Sequence, residues 1–288
     1  MAKDDDDIYA RLTAEDLAAL PTVYRDDLFR DQVVLVSGGA GGIGLAASVL
    51  FGRLGATIVS CGRDGDRLAA FEAGLGRLGI PCFTMAMTIR DPEQVEELMA
   101  ETWRRHGRLD VLVNNAGGQF AAPAMEISPK GWNAVIDTNL NGSWYMMQAA
   151  ARRWRQHGQP GCIINMVTVL GQCSTGIPHT VASRAAEIHL SRALSVEWAP
   201  DNIRLNCVAI GVVASPGLVN YPESAKPSFD HNPMRRVGSA QDIAEACVYL
   251  AAPSGQFVNG TVLTVDGGAD VWGEYWPLGR PDYFQVDY

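Results

Sequence analysis

Short apolar runs and longer amphipathic runs take turns along most of this chain. "QVVLVSG" is a β-branched run closed by glycine, and "GLAASVLFGRLG" behind it spaces its apolar residues as one helix face does. The alternation continues with "ATIVSCG" and "DRLAAFEAGLGRLG", "CFTMAM" and "DPEQVEELMAETWRRHG", then "LDVLVNNAG" and a helical stretch over "KGWNAVIDTNLNGSWYMMQAAARRWRQHG". "GCIINMV" and "IRLNCVAIG" predict two more strands, with the helix "VASRAAEIHLSRALSVEWA" between them. A last helix, "SAQDIAEACVYLAA", leads into the strand of "GTVLTVDGG". Strands that are apolar almost throughout fit a parallel sheet covered on both faces. The pattern therefore predicts one α/β domain, a doubly wound Rossmann-type fold on a seven-stranded parallel sheet.

No interior linker or repeat breaks residues 31–268. Residues 1–30 predict an N-terminal arm whose short helix "TAEDLAAL" is capped by Thr13, and residues 269–288 form a tail rich in Trp and Tyr. Such a tail is expected to bury against a neighbouring subunit or the lip of a substrate pocket. With 47% hydrophobic residues in 288, there is material for one well-buried core. The formal net charge of -9 argues against a nucleic-acid partner. The six cysteines, at 61, 82, 162, 173, 207 and 247, form no CxxC pair and sit mostly in apolar runs. They are expected to be reduced thiols rather than disulfides or metal ligands. The start "MAKDDDDIYA" lacks the apolar stretch of a signal peptide, no run is long enough to span a bilayer, and "FQVDY" is not a peroxisomal address. A cytoplasmic protein with no membrane partner is the expectation.

"VLVSGGAGGIG" places Gly38, Gly42 and Gly44 directly after the first strand and at the start of a helix. Turns without side chains let a backbone approach a pyrophosphate, and the helix N-terminus offers oriented N–H groups. In that context Ser37, Gly38, Gly42, Ile43 and Gly44 are expected to hold a dinucleotide. An acidic residue at the end of the second strand would bind a free ribose hydroxyl. Here "SCGRDGDR" has Gly62 and then Arg63, whose guanidinium suits a 2′-phosphate, so NADPH is expected over NADH. "NNAG" after the fourth strand adds Asn115, Ala116 and Gly117 at the sheet edge where cofactors lie.

Taken together, "SGGAGGIG", "NNAG", "DTNLNG", "SVEWAPDNIRLNCVAIG" and "VDGG" resemble the short-chain dehydrogenase/reductase family from about Asp31 to Gly268. "NNAGGQFAAP", "SPKGWNAVIDTNLNGSWYM" and "EWAPDNIRLNCVAIGVV" resemble in particular the branch of the peroxisomal trans-2-enoyl-CoA and 2,4-dienoyl-CoA reductases. The resemblance implies NADPH binding, an acyl thioester substrate and a homotetramer. It also implies an Asn-Ser-Tyr-Lys set, which falls on Asn139, on Thr168 or its neighbour, on Thr180 and on Arg184. Thr88 stands where an acidic residue usually meets adenine, and Ile210-Gly211 where Pro-Gly is usual. Val213 and Ser215 follow, the latter in place of a threonine that holds the nicotinamide amide. Arg184 would also take the family lysine's role on the nicotinamide ribose.

Oxidising an alcohol requires a group that accepts its hydroxyl proton, and neither a threonine hydroxyl nor a guanidinium does so. Reducing a conjugated double bond instead requires donors for the negative charge that builds on the thioester oxygen. Thr180 and Arg184 suit the second demand, although Thr180 is equally placed to cap the helix that begins beside it. His179 and Tyr221 are substrate-lid candidates able to donate a proton. The first reading is thus an NADPH-dependent reductase of 2-enoyl thioesters. The second is an alcohol or 3-hydroxyacyl-CoA dehydrogenase using a base such as His179. The third is a nucleotide-binding protein without redox turnover. No metal is expected.

Overall fold

Residues 12–169, 175–216, 218, 232–273 and 277 are described by the structure, a computed structural model. Seven parallel strands stand in the order β3-β2-β1-β4-β5-β6-β7. They are β1 (Val33–Ser37), β2 (Thr57–Gly62), β3 (Cys82–Ala86), β4 (Val111–Asn114), β5 (Gly161–Thr168), β6 (Ile203–Ile210) and β7 (Val262–Val265). The helices are α1 (Ala14–Ala19), α2 (Gly42–Arg53), α3 (Gly65–Arg77), α4 (Pro92–His106), α5 (Pro129–Ile136), α6 (Ser143–His157), α7 (Pro178–Glu197) and α8 (Ala240–Ala251).

Successive residues of a strand face opposite sides, and β1 shows the consequence. Val34 and Val36 enter a core layer shared with α1, α2, α3 and α8. Val33 and Leu35 enter the opposite layer, built with α4, α6 and the end of α7. Every residue of β1 is buried, which is why the run carries no polar alternation. Thr13 caps α1 as expected, in a reciprocal arrangement with Asp16. Ser239 and Asp242 make the same closure at the start of α8.

Two helices depart from the expected outline. The stretch 129–157 is a continuous helical path, but Asp137–Gly142 is wound as a π-helix between α5 and α6. Such insertions open the backbone ladder and often mark functional positions. Helix α7 starts at Pro178 with Ile177 as its N-cap residue, earlier than the "VASRAAE" start. Thr180 therefore sits inside the first turn, and the capping role expected for it is corrected: a proline at the first helical position sets the start instead.

Among the described cysteines all are free, with Cys61, Cys162, Cys207 and Cys247 buried and Cys82 half-buried; Cys173 lies outside the described residues. Among the same residues no helix is long and apolar enough to cross a membrane, and no cluster has the makings of a metal site.

Candidate active site

The chain order of the sheet reverses between β1 and β4, and a crevice opens at the carboxyl ends of the strands around that point. It is a cavity of about 670 Å³, of a size that suits a cofactor. Each strand end contributes: Gly38 after β1, Gly62 and Arg63 after β2, Thr88 after β3, and Asn115, Ala116 and Gly117 after β4. Six of the residues expected to hold a dinucleotide thus line one space.

The loop after β1 is shaped by its glycines. Gly38 has φ +67, a conformation that L side chains rarely adopt. A Cβ on Gly44 would stand 2.5 Å from the Gly38 carbonyl oxygen, so the helix packs against the loop with no side chain between. Ser37 is fully buried and turned away from the crevice. Its hydroxyl accepts hydrogen bonds from the Asn115 and Ala116 N–H groups at 3.1 and 3.0 Å. The Asn115 side chain donates in return to the carbonyls of Ser37 and Gly38, at 3.0 and 3.2 Å. "SGGAGGIG" and "NNAG" are therefore one interlocked unit. Ile43, in the first turn of α2, packs on the core, and Ser215 lies over the loop, 3.8 Å from where a Gly42 Cβ would be.

Arg63 is exposed at the rim of the crevice. A second cation stands there that sequence reasoning missed. Asp64 caps α3 by accepting from the Arg67 N–H at 3.0 Å, which fixes the helix start. One turn of helix then brings the Arg67 side chain back over the glycine loop. Its Nε donates to the Ala40 carbonyl at 3.1 Å, and its guanidinium covers Gly41. The spacing of Arg63 and Arg67 was the available signal, four residues apart across a helix start.

Asn139 lies within the π-helical turn and is buried. Its side chain pairs with Gly118 in both directions, accepting from the N–H at 2.9 Å and donating to the carbonyl at 3.1 Å. Arg184 is 8% exposed and reaches toward the same place from α7. One guanidinium nitrogen approaches the Asn139 carbonyl at 3.4 Å, and the other lies against Gly117 on the crevice wall. The first nitrogen also donates to Glu187 at 2.6 Å, and Glu187 is completely buried. Arg184, expected at the nicotinamide ribose, is thus one half of a buried ion pair, a partner the sequence reading did not include.

Thr180 and His179 are both buried at the start of α7. The Thr180 N–H donates to His179 Nδ1 at 2.8 Å, and the Thr180 hydroxyl stands 3.3 Å from the same nitrogen. Nδ1 is thus an acceptor, which places the neutral ring's proton on Nε2. Nε2 is buried and has no hydrogen-bond partner among the described residues, and burial holds the imidazole below its ordinary pKa. The ring meets Phe120 edge-on, with centroids 4.6 Å apart. His179 is therefore a packed helix residue rather than part of a surface lid. Tyr221 lies outside the described residues. Thr168 ends β5 beside Ile210, and Gly211 presses on Asp266. Val213 is buried and lines a second cavity of about 290 Å³ with Arg236, Asp242 and Asp266.

A family model described as enoyl-(acyl carrier protein) reductase matches residues 38–270. A peroxisomal 2,4-dienoyl-CoA reductase [(3E)-enoyl-CoA-producing] of Arabidopsis thaliana is 34% identical over 85% of this chain and 86% of its own. A glucose 1-dehydrogenase of Gluconobacter oxydans is 33% identical, over 89% of this chain and 98% of its own. Among solved structures, a short chain dehydrogenase from Bacillus anthracis superposes with a TM-score of 0.76 at 32% identity, over 85% of this chain and 98% of that one.

Proposed function

This chain belongs to the short-chain dehydrogenase/reductase family, and within it we propose an NADPH-dependent reductase that saturates the 2,3 double bond of an enoyl thioester. The observation that carries the reading is what stands at the usual tyrosine and lysine positions. At those positions stand Thr180, whose hydroxyl is a hydrogen-bond donor and no base, and Arg184, which is held by Glu187; the accepting nitrogen of the neighbouring His179, Nδ1, is engaged by the Thr180 N–H.

The crevice suits the cofactor by its own chemistry. Gly38, the α2 N-terminus and the interlocked Asn115 loop offer backbone to a pyrophosphate, while Arg63 and Arg67 flank the place of a 2′-phosphate. Bound there, NADPH supplies the hydride that the β-carbon receives. The protein's work is on the other end of the conjugated system. Negative charge gathers on the thioester oxygen, and preorganised donors stabilise it without solvent reorganisation. Thr180 Oγ1 is the donor this helix turn offers, with the buried His179 ring packed behind it and Arg184 fixing the wall at Gly117. Burial disfavours the charged imidazolium, so His179 stays neutral and holds the Thr180 turn, while the α-carbon takes its proton from water.

The glucose 1-dehydrogenase relative favours a second reading, oxidation of an alcohol with His179 as base. The depressed basicity of that ring counts against it. A panel separates the two: NADPH with trans-2-enoyl-CoAs of several lengths, and NADP with sugars, alcohols and 3-hydroxyacyl-CoAs, following nicotinamide absorbance. Turnover confined to the enoyl-CoAs is expected, and turnover confined to the alcohols would overturn the proposal. The assembly we propose is a homotetramer, four times the 31.0 kDa chain by light scattering, and a monodisperse monomer would contradict it.

Cofactor choice is tested at the rim. Arg63→Ala should weaken NADPH by roughly 1–3 kcal/mol, the range for a charge-assisted contact, and leave NADH nearly unchanged. Titration calorimetry with both cofactors checks this, and an equal loss for both would mean that Arg63 does not read the phosphate.

A further inference from the structure

The face that α7 turns toward the sheet is polar. Thr180, Ser183, Glu187 and Ser191 follow one another along it, and all four are buried. Ser183 and Ser191 are satisfied locally: Ser183 Oγ donates to the Thr180 carbonyl at 3.0 Å, and Ser191 Oγ accepts from Asn165 at 2.9 Å. Glu187 is different. Its Oε2 takes Arg184 at 2.6 Å, and its Oε1 has no hydrogen-bond partner among the described residues. A fully buried carboxylate with one oxygen unpaired is a costly element, and a packed apolar residue would be the more stable occupant. Burial pushes the Glu187 carboxyl above the ordinary carboxylate range, with Arg184 and the nearby Ser143 hydroxyl opposing that rise. What the carboxylate does achieve is geometric and electrostatic. It draws one nitrogen of Arg184 back toward α7, which leaves the other against Gly117 on the crevice wall.

We propose that Glu187 is a positioning residue that aims Arg184 at the wall beside Gly117 and cancels its charge, so that the nicotinamide end of the crevice faces a neutral pair rather than a bare cation. The inference rests on the reading, given above, that Arg184 serves the nicotinamide end of the cofactor. Its consequence concerns the two redox forms of that cofactor. The oxidised nicotinamide ring carries a positive charge and the reduced ring none. An uncompensated guanidinium beside the ring repels the oxidised form selectively, whereas the Arg184–Glu187 pair treats both forms alike.

The experiment is a binding measurement on the full chain without substrate. Affinities for NADP and NADPH are measured for the parent, for Glu187→Gln and for Glu187→Asp. Glu187→Gln removes the charge at constant shape, and the ratio of NADP to NADPH dissociation constants should rise roughly tenfold, as for a unit charge a few ångströms away at intermediate dielectric. Glu187→Asp keeps the charge and should stay near the parent ratio, although both affinities fall as the guanidinium shifts. A folding defect alone would weaken both forms together and leave the ratio where it was, so an unchanged ratio in folded Glu187→Gln overturns the inference. Should that variant not fold, Arg184→Met with Glu187→Leu removes both charges at once. That pair is expected to bind both forms more weakly at the parental ratio, and a shifted ratio there overturns the inference as well. Arg184→Ala separates this failure from failure of the underlying reading: if it binds both cofactors as the parent does, Arg184 does not serve the nicotinamide end at all.

Discussion

Arg184→Ala is expected to lose about 3–5 kcal/mol of folding stability, the cost of leaving one member of a buried ion pair without the other. The pair is buried: Glu187 has no solvent exposure, Arg184 is 8% exposed, and Glu187 Oε2 has Arg184 at 2.6 Å. Without the guanidinium the carboxylate must either stay ionised in an apolar setting or take up a proton to remain buried. The same variant should reduce an enoyl-CoA about 10²–10³ times more slowly in a single turnover, the usual cost of one preorganised contact. That loss would come from the directed N–H groups at Gly117 rather than from a net charge, because Glu187 has already cancelled the charge. Urea unfolding and stopped-flow NADPH oxidation measure the two effects separately. Arg184→Met with Glu187→Leu should recover most of the stability and none of the rate, since it removes both charges but still lacks the guanidinium. A single variant as stable as the parent would show that the pair contributes nothing to folding. One that reduces the substrate at the parent rate would remove Arg184 from the active site.

The sheet and the crevice were legible in the sequence for a simple reason. A strand buried on both faces is apolar at nearly every position, so "VVLVS" and "GCIINMV" announce themselves, and glycine is the residue that tolerates φ near +67 in the turn that follows. Helix α7 was legible only as a helix. Periodicity finds a buried face by its apolar residues, and the buried face here is Thr180, Ser183, Glu187 and Ser191. Read as a pattern, Glu187 looks like a solvent-facing charge. The three-residue spacing from Arg184 was a usable sign of pairing, but it could not tell an exposed pair from an enclosed one. Ser37 shows the opposite limit. Its place in the glycine motif suggested cofactor contact, while the fold spends its hydroxyl on holding Asn115 and Ala116 in place. The π-helical turn that sets Asn139 against Gly118 has no sequence signature in "DTNLNG", because a one-residue insertion in a helix ladder leaves composition unchanged.

Restoring the family pair, Thr180→Tyr with Arg184→Lys, is expected to slow enoyl-CoA reduction by about fivefold or more and to create no alcohol dehydrogenase. Thr180 is 3% exposed and shares its turn with His179, whose ring already meets Phe120 at 4.6 Å. A phenol there must push aside His179 or the substrate, and overpacking of this kind costs about 1–3 kcal/mol, which is roughly 5- to 150-fold when it falls on the reactive geometry. The lysine fails for a separate reason. An ammonium is a single point of charge, and Arg184 divides its fork between Glu187 on one side and Gly117 on the other. Drawn to Glu187, a lysine abandons the crevice wall; kept at the wall, it leaves Glu187 uncompensated. In neither position does it lower the pKa of a new tyrosine as a free cation would, because the carboxylate opposes its field. Single-turnover NADPH oxidation with a short trans-2-enoyl-CoA, and NADP reduction with a panel of alcohols, read both halves of the expectation. If the double variant instead gains strong activity on simple alcohols or ketones, Glu187 does not neutralise the lysine, the pocket has room for the phenol, and oxidation of alcohols becomes the better account of what this site is built to do.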